Sequence, residues 1–585
     1  MIRGRGAALA ALLLSVPVGA QPAAVAGPDA RFEALADAEY RWRQTMQAPD
    51  EDAGTKGSGG LPDVGPAAQA AKLARWTATM RALDGIDPHA LSPQGQVDYA
   101  VYRGQVSALL ASQRFRDYER PFNADSSFWG EVAAWADGSF RTEADYRRYL
   151  AMLAQVSRYF DQNIVNMRAG LARGFTQPKV VLQGRDAGIA AVADARTAEA
   201  TPFFKPFRTM PATIPAATQA ALRAEGAGLI RDRVMPAHAT LLRFLRDDYL
   251  PHATDRIAAY DLPDGRAYYR SKLREFTTED LTPDQIHALG LAEVARIRGE
   301  MRKVMDEVGF TGDLPAFLHV LRTDPRFYPK TPQALLDRAA WIAKTFDGKA
   351  ADFFGRLPRR RFAIKPVPAD IAPFYTGGRG GPGIYLVNTY DLPSRPFYQM
   401  VALTLHESAP GHAFQMPLAA ENKALPAYRR DEYLSAYGEG WALYCEELGL
   451  DMGMYGDPYD RFGMLSYQAW RAARLVVDTG LHAQGWSQAQ AEAYLRDNTA
   501  LSDHEVRTEV QRYIAWPGQA VSYYLGKLAF ERARHKAEAA LGPRFNIRAW
   551  HDAVLQLGSV PLGEIGRRTD QLIAAGGKGP YPDEE

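Results

Sequence analysis

The sequence has little cysteine, no net charge of consequence and few long apolar runs. Cys445 is the only cysteine among 585 residues, so no disulfide can form within the chain, and packing or a bound metal must stabilise the fold. Because Cys445 lies in an apolar helical pattern, we interpret it as a small core residue. Beyond the N-terminus, no apolar run reaches the roughly 20 residues that a membrane-spanning helix needs. The formal net charge of +1 gives no general attraction to nucleic acid.

The N-terminus has the composition of a secretory signal peptide. Arg3 and Arg5 precede an apolar run from Ala7 to Val18, and small residues continue to Ala20. We therefore expect residues 1–20 to be cleaved and the mature protein to be periplasmic or secreted in a bacterium, with no membrane association afterwards. No cysteine follows the apolar run, which argues against a lipid anchor.

The length and the apolar periodicity predict a mainly α-helical protein with two lobes. A chain this long exceeds what one core usually holds, so we expect an N-terminal helical lobe over 21–275, a catalytic lobe over 276–585 and a cleft between them. The pattern over 142–171 predicts one long amphipathic helix capped by Thr142. A second helix is expected to begin at Pro283 and to end at Gly309, and residues 50–67 read as a polar loop.

One segment predicts a strand. Residues 384–390, IYLVNTY, are rich in β-branched and aromatic side chains and follow TGGRGGPG, whose glycines match the GxGxxG pattern. A dinucleotide fingerprint needs the strand before the glycines and a helix after them, so we reject that function. We interpret the stretch as a flexible loop beside an edge strand along which a peptide could align. Asn388 either contacts that peptide or closes a strand-end turn.

The stretch HESAPGH, residues 406–412, resembles a zinc-peptidase helix with altered spacing. The usual arrangement places two histidines four residues apart, with a glutamate after the first. Here the fourth position is Pro410, and His412 lies six residues after His406, about 240° around an unbroken helix. A shared metal therefore requires the helix to stop, and Pro410 with Gly411 is suited to stop it. The alternative is that both histidines belong to a structural hydrogen-bonded turn.

A third ligand is expected from the segment YLSAYGEGWALYCEELGL. Glu439 and Glu446 lie seven residues apart and share a helix face. Gly438 and Gly440 would let a neighbouring helix approach closely. We choose Glu439 as the ligand and keep Glu446 as a residue that supports a ligand or replaces Glu439.

Three sequence blocks resemble those of a known family. HESAPGHAFQ, EGWALYCEELG and EVQRYIAWPGQAVSYYLGKL are similar to signature blocks of the bacterial proteins grouped as Domain of Unknown Function 885 (DUF885). That family is similar to the gluzincin metallopeptidases, which implies a multi-helical peptidase with a central cleft and a small β-sheet beside the active site. It also implies one Zn²⁺ bound by His406, His412 and Glu439, with Glu407 as the general base.

The third block offers supporting residues. An oxyanion needs a donor besides zinc, and the candidates are Tyr523 and Tyr513, with Tyr524 and Arg512 as substrate-binding residues. The GQAVSYY portion resembles the paired-tyrosine segment of the thimet oligopeptidase group, which favours Tyr523. Each tyrosine is equally compatible with core packing. His482 is kept as a catalytic helper, and a residue four positions before it, Asp478, offers a structural partner.

These observations lead to one functional hypothesis and two alternatives. We expect a secreted zinc peptidase that cleaves short peptides by metal-activated water, with Glu407 accepting the proton. The alternatives are a zinc hydrolase of non-peptide amides or amino-acid conjugates, and a metal-binding protein without catalysis. Glu407 argues against the last, because a binding site alone would not need a carboxylate beside the water. The sequence does not determine the oligomeric state.

Overall fold

The computed structural model describes residues 27–46, 60–124, 126–369, 372–430 and 432–581. The predicted signal peptide lies outside these residues, as does most of the predicted loop at 50–67. The described chain is mainly helical with one small sheet, which confirms the predicted fold class. None of the described helices is long and apolar enough to cross a membrane.

The first half of the described chain consists of helices that lead into the helices carrying the site. In chain order they are α1 (Pro28–Gln44), α2 (Pro66–Asp84), α3 (Pro93–Phe115), α4 (Phe128–Ala134), α5 (Glu143–Leu153), α6 (Val156–Arg173), α7 (Ala187–Ala193), α8 (Lys205–Arg208), α9 (Ala216–Leu229), α10 (Met235–Arg243), α11 (Leu250–His252) and α12 (Gly265–Thr277).

The second half adds longer helices and all three strands. The helices are α13 (Pro283–Glu307), α14 (Leu314–Thr323), α15 (Pro332–Asp347), α16 (Ala350–Phe353), α17 (Met400–Glu407), α18 (His412–Glu421), α19 (Ala427–Arg430), α20 (Ser435–Asp451), α21 (Pro458–Ala483), α22 (Gln488–Asn498), α23 (Asp503–Ala515), α24 (Ser522–Leu541), α25 (Ile547–Leu555) and α26 (Leu562–Ala574). The strands are β1 (Ala363–Pro366), β2 (Gly378–Gly381) and β3 (Ile384–Val387).

The long helix predicted over 142–171 is two helices, α5 and α6. Thr142 caps α5 as expected, in a capping box with Asp145. The break arises at Gln155, whose backbone N–H donates to the carbonyl of Met152 while its side-chain amide donates to the carbonyl of Ala151. The side chain thus takes the acceptor that a continuous helix would give to the backbone. The helix predicted from Pro283 is confirmed as α13, and Gly309 follows its end with a positive φ of 73°.

The predicted strand lies in the middle of the sheet, so its interpretation as an edge strand is wrong. The order is β1-β3-β2, with β3 parallel to β1 and antiparallel to β2. Because β3 has partners on both sides, it has no free edge for a peptide. The glycine-rich segment expected to be a flexible loop is itself the edge strand β2. It does not directly follow a strand, and β3 rather than a helix comes after it, which agrees with rejecting dinucleotide binding.

The largest buried core contains the helices that carry the three motif blocks of the sequence. It includes α17, α20, α21 and α24, and it also draws in residues from α3 and α12. A second apolar cluster belongs to residues 61–253 alone. The predicted division at residue 275 stays a prediction, and the main core contains residues from both sides of it.

Candidate metal centre

The segment between the two histidines is a sharp break between helices, as its residues predicted. Helix α17 ends at Glu407 and α18 begins at His412. Across the break, the Gly411 N–H donates to the carbonyl of Leu405 at 3.0 Å. A Cβ on Gly411 would lie 1.8 Å from the His406 carbonyl oxygen, so only glycine fits where the chain folds back over the end of α17.

The second motif block holds this break in place. Trp441, on α20, is fully buried, and its Nε1–H donates to the carbonyl of Pro410 at 2.8 Å. Gly440 faces Gly526 of α24 so closely that an added Cβ would lie 2.4 Å from the Gly526 Cα. The close helix approach expected at Gly440 is therefore confirmed, whereas Gly438 makes room for the ring of Tyr433 instead.

The three predicted ligands converge on one point. The ligand atoms of His406, His412 and Glu439 all lie within 4.8 Å of one another. Glu439 Oε2 lies 3.4 Å from His406 Nε2 and 3.3 Å from His412 Nε2. Ligands at about 2.0–2.2 Å from a tetrahedral zinc ion are separated by about 3.3–3.6 Å. These residues therefore fit a metal ion with three protein ligands and one open position.

Glu446 contacts His406 from behind and is not among the three residues whose atoms are grouped as metal ligands. Its Oε1 lies 2.8 Å from His406 Nδ1, and the carboxylate is fully buried. A carboxylate on Nδ1 fixes the ring orientation and leaves Nε2 to face a metal. Of the two roles kept open for Glu446, the geometry agrees with support of a ligand.

The charges of the site call for a cation. Burial works against protonation of His406, but hydrogen bonds to Glu439 and Glu446 outweigh it and raise the pKa of His406 to about 9. Burial likewise opposes ionisation of Glu439, and the neighbouring His412 and His406 hold its pKa well below the usual value. One buried carboxylate and one partly buried carboxylate thus contact two buried imidazoles, and such groups need positive charge or a metal.

Glu407 lies beside the ligands with one oxygen fixed by the sheet. Its Oε2 accepts a hydrogen bond of 2.6 Å from the Gly380 N–H of β2. A Cβ on Gly380 would lie 1.7 Å from the Glu407 carbonyl oxygen, so β2 can approach α17 only as glycine. The glycine-rich strand therefore positions the carboxylate predicted to be the base.

Tyr433 is a residue of the site that sequence reasoning missed. Its hydroxyl donates to Glu439 Oε1 at 3.0 Å, and its ring borders the same cavity as both histidines. Tyr433 is 41% exposed as a residue, but desolvation around its hydroxyl and the charge of Glu439 raise its pKa well above the usual value, so the phenol keeps its proton. The available signal was its place six residues before Glu439, in the block already singled out.

Among the predicted tyrosines, only Tyr523 borders the cavity. The Tyr513 hydroxyl is buried and accepts hydrogen bonds from Trp470 and Arg474. The Tyr524 hydroxyl is committed to Glu293, whose carboxylate it contacts at 2.8 Å. Tyr513 as oxyanion donor and Tyr524 as substrate contact are therefore corrected to packing residues, because tertiary partners already hold their hydroxyls.

His482 is also corrected to a structural residue. Its two ring nitrogens bond the Ala259 N–H at 3.1 Å and the Tyr513 carbonyl at 2.9 Å, and it is fully buried. The expected pair with Asp478 does not form, because that carboxylate accepts from the Tyr269 hydroxyl and from the Gly518 N–H. Both side chains satisfy long-range partners rather than each other.

Asn388 and Arg512 were also predicted as substrate contacts, and the structure excludes Asn388. Asn388 is fully buried, its amide donates to the carbonyls of Ala372 and Tyr375, and its oxygen accepts from the Tyr390 N–H. It closes the turn after β3. Arg512 borders the cavity while pairing with Glu509, and its substrate role stays a prediction.

A cavity of 2170 Å³ opens over the ligands. Its lining includes the three ligands and Glu407, together with residues of α3 and α12 from the first half of the chain. Pockets for small molecules are commonly about 300–1,000 Å³, so this space can take a peptide of several residues.

Fold and site together define a helical protein with a candidate His–His–Glu metal site in the lining of a large cavity. Within that class, the chain belongs to the DUF885 family, described as bacterial protein of unknown function, whose model matches residues 50–568. The similarity to gluzincin peptidases implied by the sequence stays a prediction.

Two solved structures resemble the chain. A protein described as a lipoprotein from Colwellia psychrerythraea matches with a TM-score of 0.85 and 26% identity, covering 94% of this chain and 99% of that one. A protein of unknown function from Shewanella oneidensis, also described as a lipoprotein, shares the fold, with a TM-score of 0.65 and 18% identity over 94% of this chain and 100% of that one. No curated protein matches the chain.

Proposed function

We propose that the protein is a zinc-dependent peptidase that hydrolyses short peptides outside the cytoplasm. The observation that carries the proposal is the position of Glu407, a carboxylate held by a backbone N–H beside three residues spaced as zinc ligands. Two histidines, one carboxylate and an adjacent glutamate are the donor set of many zinc peptidases.

His406, His412 and Glu439 would hold the ion. Bound there, zinc would supply a Lewis acid and lower the pKa of a coordinated water toward about 7. Glu407, with Oε2 fixed by Gly380, presents its other oxygen to accept the proton of the attacking water and to deliver it to the leaving amine.

Tyr523 is our candidate for stabilising negative charge on the scissile carbonyl oxygen, because the Tyr433 hydroxyl already donates to Glu439 Oε1. Tyr523 borders the cavity that also includes Glu439, and burial raises the pKa of its phenol. A protonated hydroxyl aimed at the developing oxyanion is the second donor that this chemistry needs.

The size of the cavity supports peptides rather than small amides as substrates. A space of 2170 Å³ exceeds what a single amino-acid conjugate would fill. Location outside the cytoplasm is supported by the signal-peptide composition of residues 1–20 and by the two structural relatives, which are described as lipoproteins.

The test combines metal analysis with peptide hydrolysis. Purified protein should contain one zinc per chain and cleave members of a mixed peptide library detected by mass spectrometry. Glu407→Gln should keep the zinc and lose about 10²–10⁴-fold in kcat, the usual contribution of a general base. The surface variant Glu300→Gln, which changes only a pair with Lys303, should match the wild type. Unchanged turnover in Glu407→Gln, or no hydrolysis of any peptide by the zinc-loaded wild type, would refute the proposal.

A further inference from the structure

Two buried arginines border the same cavity as the three proposed metal ligands. Arg471 and Arg474 lie one turn apart on α21, and their side chains are only 5% and 3% exposed. Aromatic rings fix both guanidinium planes. Arg471 lies over Trp470 at 4.3 Å, and Arg474 lies between Trp470 at 4.2 Å and Tyr523 at 4.4 Å. Planes held this firmly present their N–H edges in a fixed direction.

The protein itself uses only part of these donors. Arg474 donates through Nε to the Tyr513 hydroxyl and pairs through Nη2 with Glu509 at 3.1 Å, while Nη1 is buried without an acceptor. The nearest carboxylate to Arg471 is Glu446, at 3.8 Å from Nη2, and both Nε and Nη1 lack an acceptor within the described residues. Buried charged donors without acceptors are costly, so an arrangement that keeps them is suited to bind an anion.

The distance between the arginine N–H donors and the proposed metal ligands limits what that anion can be. Glu446 Oε1 lies between the two groups, at 3.8 Å from Arg471 Nη2 and at 2.8 Å from His406 Nδ1. One extended residue spans about 3.3–3.6 Å. With the width of the imidazole ring added, Arg471 Nη2 lies at most about 9 Å from His406 Nε2, so an anion on the arginines lies within about two extended residues of a carbonyl at the metal.

We propose that Arg471 and Arg474 bind the C-terminal carboxylate of the substrate, so that the enzyme releases one or two residues from a free C-terminus. The planar guanidinium fork matches a carboxylate in a bidentate manner. The inference rests on the proposed peptidase function, because it takes the substrate to be a peptide.

The test compares three versions of one peptide that the wild type cleaves or binds. The first has a free C-terminal acid, the second a C-terminal amide, and the third an amide with glutamate as the last residue. Affinity is measured by calorimetry on the zinc-loaded Glu407→Gln protein, and kcat/KM and the released fragments are measured on the wild type. The free acid should bind and react about 10- to 100-fold better than the amide, releasing one or two residues.

Variants then assign the preference to the two arginines. Arg471→Gln and Arg474→Gln should each reduce the acid-over-amide ratio toward one while leaving values for the amide within a few-fold, and Arg474→Lys should restore part of the ratio. The control is Arg270→Gln, because Arg270 borders the same cavity but pairs on the surface with Asp280. It should leave the ratio unchanged.

The outcomes separate this inference from the proposed function. If the amide is cleaved as well as the acid, or if the arginine variants weaken both peptides equally, the carboxylate site is refuted while the peptidase function stands. If the glutamate-bearing amide equals the free acid, assignment to the C-terminus is refuted. If the acid binds preferentially in an arginine-dependent manner but no peptide is cleaved, the carboxylate site stands and the peptidase function fails.

Discussion

Replacing Gly411 by alanine tests whether the break in HESAPGH builds the metal centre. The added Cβ would lie 1.8 Å from the His406 carbonyl oxygen and 2.5 Å from that of Leu405. Unbonded carbon and oxygen atoms pack at well over 3 Å, so the chain must move by more than about 1 Å. His412 follows directly, and metal–ligand distances tolerate only about 0.2 Å.

The expected magnitude follows from this displacement. Loss of His412 as a ligand should weaken zinc binding by more than the 10- to 100-fold that is typical for loss of a residue supporting a ligand. Activity should fall by at least about 10²-fold, and overpacking should lower the free energy of unfolding by about 1–3 kcal/mol. The assays are zinc competition with a chromogenic chelator, peptide hydrolysis at saturating zinc, and urea unfolding of the metal-free protein.

The control is Gly381→Ala. Gly381 lies in β2 near the same site, but an added Cβ there would meet no atom within 4 Å. This variant should bind zinc as the wild type does. If Gly411→Ala also keeps wild-type zinc affinity, then the backbone between the two histidines does not determine the ligand geometry, and the reasoning from that break is wrong.

Three further predictions concern single side chains. Glu446→Gln should weaken zinc affinity about 10- to 100-fold because the imidazole it orients loses a charged partner; an unchanged affinity in chelator competition would contradict this. Tyr523→Phe should lower kcat by about 10²-fold and change zinc content little, and equal kcat would exclude the phenol as an oxyanion donor. Burial lowers the pKa of His482 to about 4, so the folded protein binds fewer protons than the unfolded chain below pH 6.5. The free energy of unfolding should therefore fall by up to about 1.4 kcal/mol per pH unit from pH 6.5 to 4, and His482→Gln should remove that component in urea titrations at each pH.

The features that were predictable from sequence are those set by neighbours in the chain. Proline followed by glycine ends a helix whatever surrounds it, so the break between His406 and His412 was predictable. Glu439 was chosen as the third ligand on equally local grounds, because it shares a helix face with Glu446 and lies between two glycines that allow a neighbouring helix to approach. These local rules recovered the three proposed ligands and Glu407 without any knowledge of the fold.

The features that were missed depend on partners distant in the sequence. The central position of β3 requires β1, which lies about twenty residues earlier and has no alternating pattern to announce it. The i, i+4 spacing of Asp478 and His482 permits a pair, but Tyr269 and Ala259, more than 200 positions away, take those groups instead. Likewise, nothing local distinguishes Tyr523, which borders the cavity, from its buried neighbour.

The site is held together mainly by backbone contacts between the three motif blocks. Trp441 in the second block holds the carbonyl of Pro410 in the first, and Gly440 sets the second block against Gly526 of the third. Gly380 of β2 in turn fixes the carboxylate that follows the first histidine. Because each contact requires either a glycine or one particular indole, the ligand positions depend on residues that touch no metal. This explains why the blocks are recognisable as continuous stretches rather than as isolated histidines and glutamates.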